Sequence, residues 1–286
     1  MWHYPEFDPV LVSIGPLSIH WYALSYLVGI SLVWWSLGRR AKARGLAWND
    51  EQISDMIFYG MLGVILGGRI GYVVFYGWQN LVQDPLSLFR VWEGGMSFHG
   101  GMLGVLFAMY LYGRRQGCGF FAVTDFIAPS VPIALGCGRI GNFINGELPG
   151  RVTDMPWAAI YPGEVVGRHP SSLYQAFAEG VVLFAVLWLF SRRPRPPVTT
   201  SGMFLIAYGL LRLTTEFFRT PDSQLMFVAF DWMTMGQLLS LPMVVLGLGF
   251  IYYGYQQAPA VTTTATKTRA SKKPKKPKKP KRDAQH

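Results

Sequence analysis

Several residues carry side chains suited to holding an anion or moving a proton while standing in apolar sequence. Among them are His20 in LSIHWYAL, Arg69 in LGGRIGYVV, His99 in MSFHGGM, Arg139 in GCGRIGNFINGELPGR and Arg212 in GLLRLTTEFFRTPD. Arginine's planar fork of donors matches a phosphate or carboxylate, and histidine exchanges a proton near neutral pH. The 136–151 stretch adds Asn142, Asn145, Glu147 and five glycines directly after the apolar run FIAPSVPIAL. Pro149 with Gly146 and Gly150 resists helix continuation, so a helix end followed by a turn is expected there. The sequence has no GxSxG nucleophile motif, no HExxH and no Cys/His metal spacing. Arginines plus one base suit chemistry on a phospholipid whose phosphate is held while an external nucleophile is activated. No metal and no cofactor is needed, because the arginines supply the positive charge.

The elements that position these residues follow from composition. Of 286 residues 51% are hydrophobic and only 15% charged, which marks an all-α integral membrane protein. The net charge of +10 belongs to the tail: KTRASKKPKKPKKPKRDAQH holds ten basic residues and one Asp, and residues 1–266 hold sixteen basic against fifteen acidic. Residues 259–286 are therefore expected to be a disordered, Lys/Pro-rich cytoplasmic tail, drawn weakly to anionic membrane lipids rather than to nucleic acid. Two cysteines, Cys118 and Cys137, make no disulfide framework. MWHYPEFDPVLVSIGP lacks a basic n-region, so no cleaved signal peptide is expected.

Hydropathy predicts about seven transmembrane helices within a catalytic domain of residues 1–258, at 17–38, 55–77, 96–113, 124–144, 172–190, 202–218 and 235–255. Basic residues follow the first, third, fifth and seventh: Arg39, Arg40, Lys42 and Arg44, then Arg114 and Arg115, then Arg192, Arg193 and Arg195, then the tail. The connections at about 78–95, 145–171 and 219–234 are poorer in them, so the N-terminus is placed outside and the C-terminus in the cytoplasm. That orientation puts His20, Tyr22, Arg69, His99, Arg139, Glu179, Arg212 and Glu216 near one depth in the outer half of the membrane. Asp125, at the inner start of the fourth span, is the exception.

Charge in hydrocarbon persists where it meets a partner or a polar cavity. Arg212 and Glu216, at i and i+4, can neutralise one another. Arg69 can pair with Glu93 or Glu179, or snorkel outward. His20 suits an interfacial position. His99 is harder to assign to structure alone, because four glycines in EGGMSFHGG let another helix or a ligand approach. A transporter of a small anionic or lipid-like solute would also carry charge in its spans. Transport, however, needs a path through both membrane halves, and no pair of broken helices at matched positions is visible. A non-catalytic scaffold would not need His99, Arg139 and Arg212 at similar depth.

Along nearly all of the membrane body the chain resembles bacterial prolipoprotein diacylglyceryl transferase. The segments that carry the likeness include LGGRIGYVVFY, RVWEGGMSFHGG, DFIAP, GCGRIGNFINGELPGR, RHPSSLYQ and GLLRLTTEFFRTPD; the tail lies outside it. Pro149 stands where some members have tryptophan, and the segment from Arg151 to His169 is short. The resemblance implies an enzyme of the bacterial cytoplasmic (inner) membrane with its active site toward the outer leaflet. It implies transfer of a diacylglyceryl group from phosphatidylglycerol to the lipobox cysteine of a preprolipoprotein signal peptide, releasing glycerol-1-phosphate. His99, Arg139 and Arg212 are then the expected catalytic residues. Tyr22, Asn142, Glu147, Gly150, Glu216, Gly94, Gly100 and Asp125 match positions that the family treats as important. With Arg69, His169 and Arg139 itself they are expected to bind substrate.

Overall fold

A computed structural model describes residues 1–15, 17–46, 48–221, 230 and 232–257. The expected tail at 259–286 and most of the connection expected at 219–234, including Asp222 and Asp231, lie outside these. Ten α-helices are described: α1 (Trp21–Arg44), α2 (Asp50–Phe75), α3 (Trp78–Gln83), α4 (Phe98–Arg115), α5 (Phe120–Ile127), α6 (Val131–Ile144), α7 (Ser171–Gln175), α8 (Leu183–Phe190), α9 (Thr199–Glu216) and α10 (Met235–Gln257). A π-helical segment, Ala176–Val182, joins α7 to α8. Helix occupies most of each of the seven expected spans. By length and composition three stretches are apolar enough to cross a membrane, namely α2, Ser171–Phe190 and α10, with a fourth if α5 and α6 form one span.

Three boundaries differ from expectation, each for a local reason. Residues 17–20 are not helical: Leu17–His20 (β3) pairs antiparallel with Val10–Ile14 (β2), and α1 starts at Trp21. The fourth span bends by 55° between α5 and α6. Pro129 cannot donate to the helix ladder there, while Pro132 fits the first turn of α6. The connection 145–171 is also more than a loop, because the N-terminus folds onto it. Trp2–His3 (β1) runs parallel to Ala159–Ile160 (β4), and Tyr4 stacks on Tyr161 at 4.9 Å while its hydroxyl donates to the Phe143 and Ile144 carbonyls that end α6.

Close helix crossings set the architecture. Gly63, Gly67 and Gly71, one turn apart on α2, face Gly100 and Gly104 of α4. A Cβ on Gly104 would stand 2.9 Å from the Gly67 Cα, and one on Gly71 would stand 2.7 Å from the Gly100 Cα. These backbones touch, as small-residue membrane interfaces allow. The glycines of the 136–151 stretch work alike: Gly136 meets Gly180 of the π segment, Gly138 meets Tyr26 and Gly141 meets Ser25 and Tyr22 of α1. At the other end Leu37, Ile53, Met56, Tyr112, Val123 and Phe126 form a buried cluster joining α1, α2, α4 and α5.

Gly104→Val is expected to lower thermal stability in detergent by about 1–3 kcal/mol, the cost typical of overpacking. Gly249→Ala is expected to be neutral in the same melting experiment, since a Cβ there meets nothing within 4 Å.

Candidate functional site

Arg139 and Arg212 meet on one carboxylate. Arg139 leaves α6 and donates from Nε to Glu179 Oε2 at 3.0 Å, and Arg212 Nη1 on α9 reaches Glu179 Oε1 at 3.4 Å. Glu179 lies in the π segment and is fully buried. A π turn admits one residue more than an α turn and so changes which face a side chain presents. Arg212 also pairs with Glu216 at 2.7 Å, the i, i+4 pair expected from sequence. Glu216 then takes Arg219 at 3.1 Å and the Thr234 hydroxyl at 3.0 Å. Three guanidiniums thus gather on two buried carboxylates, a cluster of forked donors of the kind that suits an anion. Tyr208 of α9 hydrogen-bonds Arg139 and stacks on Phe204.

A second cluster continues from Arg139 toward the C-terminal end of α6. Asn142 and Asn145 donate their side-chain amides to the two oxygens of Glu147, at 2.7 and 3.1 Å. Tyr22 shares a hydrogen bond with Tyr26 at 2.9 Å and interacts with Asn142. The turn at 147–150 is stitched down from the HPSS segment: Ser172 and Ser171 donate to the Glu147 and Leu148 carbonyls at 2.9 and 2.6 Å, and Gly150 N donates to His169 O at 2.9 Å. Gly150 also bridges to Arg219, and a Cβ there would sit 2.6 Å from the Phe218 carbonyl oxygen. Backbone closeness therefore demands glycine at 150. Tyr22, Asn142, Glu147, Gly150 and His169 form one continuous wall.

The remaining expected residues stand elsewhere. Arg69 does not meet Glu179, whose two oxygens are taken. Its guanidinium instead donates to the carbonyls of Ser87, Leu88, Gly94 and Gly95. Gly94 and Gly95 have φ of +83° and +78°, the left-handed backbone that turns adjacent carbonyls onto one guanidinium. Gly100 lies at the α2–α4 crossing. Asp125 caps the start of α9, accepting from Val198 N at 2.6 Å, Ser201 N at 2.7 Å and the Ser201 hydroxyl at 2.6 Å. His99 opens α4, exposed, with its ring edge-on to Phe98; among the described residues no hydrogen bond or ion pair connects it to the arginines. Glu179 and Tyr208 were not among the expected site residues. A lone acid in an apolar span signals Glu179, whereas Tyr208 looks like any other aromatic in a span.

Arg212→Gln removes one partner from each of two buried carboxylates and is expected to cost roughly 3 kcal/mol of stability. Adding Glu216→Gln should restore part of that loss, measured by thermal melting. His169 gives a pH prediction. Burial lowers its imidazole pKa, and its Nδ1 lies 3.1 Å from the Tyr174 hydroxyl. The folded imidazole stays neutral while the unfolded chain protonates first. Stability from this source is complete above about pH 6.5 and declines as pH falls through that unfolded value. In His169→Gln the melting temperature should therefore fall less steeply between about pH 7 and pH 5 than in the parent.

A family model described as prolipoprotein diacylglyceryl transferase matches residues 9–253. Proteins named phosphatidylglycerol--prolipoprotein diacylglyceryl transferase are close in sequence over nearly their whole length. That of Chromohalobacter salexigens is 55% identical over 255 residues, covering 89% of this chain and 95% of the relative. That of Ectopseudomonas mendocina is 53% identical over 258 residues, covering 90% and 97%, and that of Azotobacter vinelandii is 53% identical over 256 residues, covering 89% and 97%. The matched range takes in the Arg139–Glu179–Arg212–Glu216 network and the wall beside it. The chain belongs to the prolipoprotein diacylglyceryl transferase family.

Proposed function

We propose that this protein transfers the diacylglyceryl group of phosphatidylglycerol to the lipobox cysteine thiol of a preprolipoprotein, releasing glycerol-1-phosphate. The observation that carries this reading is the convergence of Arg139 and Arg212, from two helices, on buried Glu179, which sets two forked donors side by side for a negative charge. A phosphate diester brings that charge. The relatives' names fit the same chemistry and set solute transport aside.

The chain carries its seven helical segments across the bacterial cytoplasmic membrane, with the N-terminus outside, the C-terminus inside and the site toward the outer leaflet. Residues 1–258 form the catalytic domain. Arg139 and Arg212 hold the phosphate, and Glu179 keeps both guanidiniums aimed at it. A free thiol has a pKa of about 8.5, so a base raises its thiolate fraction. His99, exposed and free of hydrogen-bonding partners among the described residues, takes the thiol proton. The sulfur then attacks the glycerol carbon bearing the phosphate. The C–S bond forms, the C–O bond breaks, and glycerol-1-phosphate leaves with the electron pair while the arginines balance its growing charge. Tyr22, Asn142, Glu147, Gly150 and His169 shape the wall against which headgroup and peptide lie. Arg69, with Gly94, and Gly100 fix the segment that leads into His99, and Asp125 and Glu216 hold α9 and Arg212 in place.

Transfer from radiolabelled phosphatidylglycerol to a lipobox peptide tests the assignment. Arg139→Gln is expected to reduce transfer by 100-fold or more, roughly the loss seen when one donor to a developing charge is removed. Arg139→Lys should recover only part, since a point charge replaces a bidentate fork. His99→Asn should reduce transfer by about 100-fold and lift part of the deficit at high pH, where the thiol ionises unaided. Near-normal transfer by a folded variant removes that residue from the chemistry. Glycerol-1-phosphate release independent of the peptide's cysteine overturns the reaction as written.

A further inference from the structure

We infer that the inner ends of α1 and α2 form a docking site for the headgroup of an anionic phospholipid, separate from the Arg139 network. A cavity of about 260 Å³ opens there, lined mainly by Trp34, Trp35, Arg39, Lys42 and Asp50. Two cations face one carboxylate. The Lys42–Asp50 pair spans 3.2 Å with side chains 74% and 59% exposed, so water screens it and it competes weakly for the ammonium. Arg39 has no carboxylate partner among the described residues, and its guanidinium lies 5.0 Å above the Trp35 ring. That contact orients the planar fork and leaves its donors for a phosphate. Trp34 is fixed as a wall by its Nε1 donating to Ser54 Oγ at 3.0 Å. Gly38 leaves the floor open, where a Cβ would fill space down to ordinary contact, 3.7 Å, with Asp50 Oδ1.

The face above the cavity selects a lipid over a free phosphate. Val28, Leu32, Trp35 and Arg39 fall at i, i+4, i+7 and i+11 on α1, and all four are exposed. Read from the helix end, that stripe is cation, interfacial aromatic, then aliphatic, the order of headgroup, glycerol and acyl chain. Basic pockets between helices at the cytoplasmic face suit anionic headgroups in general. The leaflet named here rests on the orientation proposed above; the chemistry of the cavity does not.

Native mass spectrometry of the full chain in detergent tests this with dioleoyl phosphatidic acid as probe. The parent protein should retain one more phosphatidic acid than Arg39→Gln/Lys42→Gln, and both should retain dioleoyl phosphatidylcholine equally. Arg39→Gln alone, at an exposed residue with no carboxylate partner, should lower retention while leaving the lipid-free melting temperature unchanged. Equal phosphatidic acid retention by parent and variants overturns the site. Displacement of the lipid by equimolar glycerol phosphate overturns the lipid as occupant in favour of a free anion. Because retention is read without any transfer reaction, loss of the catalytic reading would leave this result standing.

Discussion

Glu179 and Glu216 are carboxylates buried among apolar helices, and the structure depends on their being neutralised by guanidinium. An ionised carboxylate alone in such surroundings costs several kcal/mol, so each must hold its cations or lose its charge. That requirement ties α6, the π segment and α9 to one point through Arg139, Glu179 and Arg212, and passes through Glu216 to Arg219 and Thr234.

The glycines serve the same end from the opposite side. Gly136 against Gly180 brings α6 near enough to the π segment for Arg139 and Glu179 to bond directly. Gly138 and Gly141 do likewise toward α1, which places Tyr22 and Tyr26 beside the network. Arg69 uses the charge of a guanidinium differently, gathering four backbone carbonyls from a segment with little regular structure of its own. A lipid-exposed loop would otherwise leave those carbonyls without donors.

The Arg212–Glu216 pair was legible in the sequence from its i, i+4 spacing, and Arg139 stood out because charge in an apolar run is conspicuous. The 147–150 turn was legible from its Pro and Gly. The role of Glu179 was not, because a π segment follows from packing against Gly136 and leaves no period of its own in the apolar pattern. Asp125 matched a family position, yet its partners Val198 and Ser201 lie more than seventy residues away, a distance that spacing cannot reveal. The N-terminal strand went unseen for the same reason, and the bend at Pro129 was hidden inside a run that hydropathy reads as continuous.

The pairing of β1 with β4 joins residues about 155 positions apart, and Tyr4 closes the end of α6 through it. A chain that emerges N-terminus first cannot form these contacts until α6 and the 145–171 connection have been made. Non-local contacts of this separation are slow, since loop closure precedes any reward. The seam between the N-terminal strand and the 145–171 connection is therefore among the last parts to settle, and its first residues must wait for more than half the protein to be synthesised.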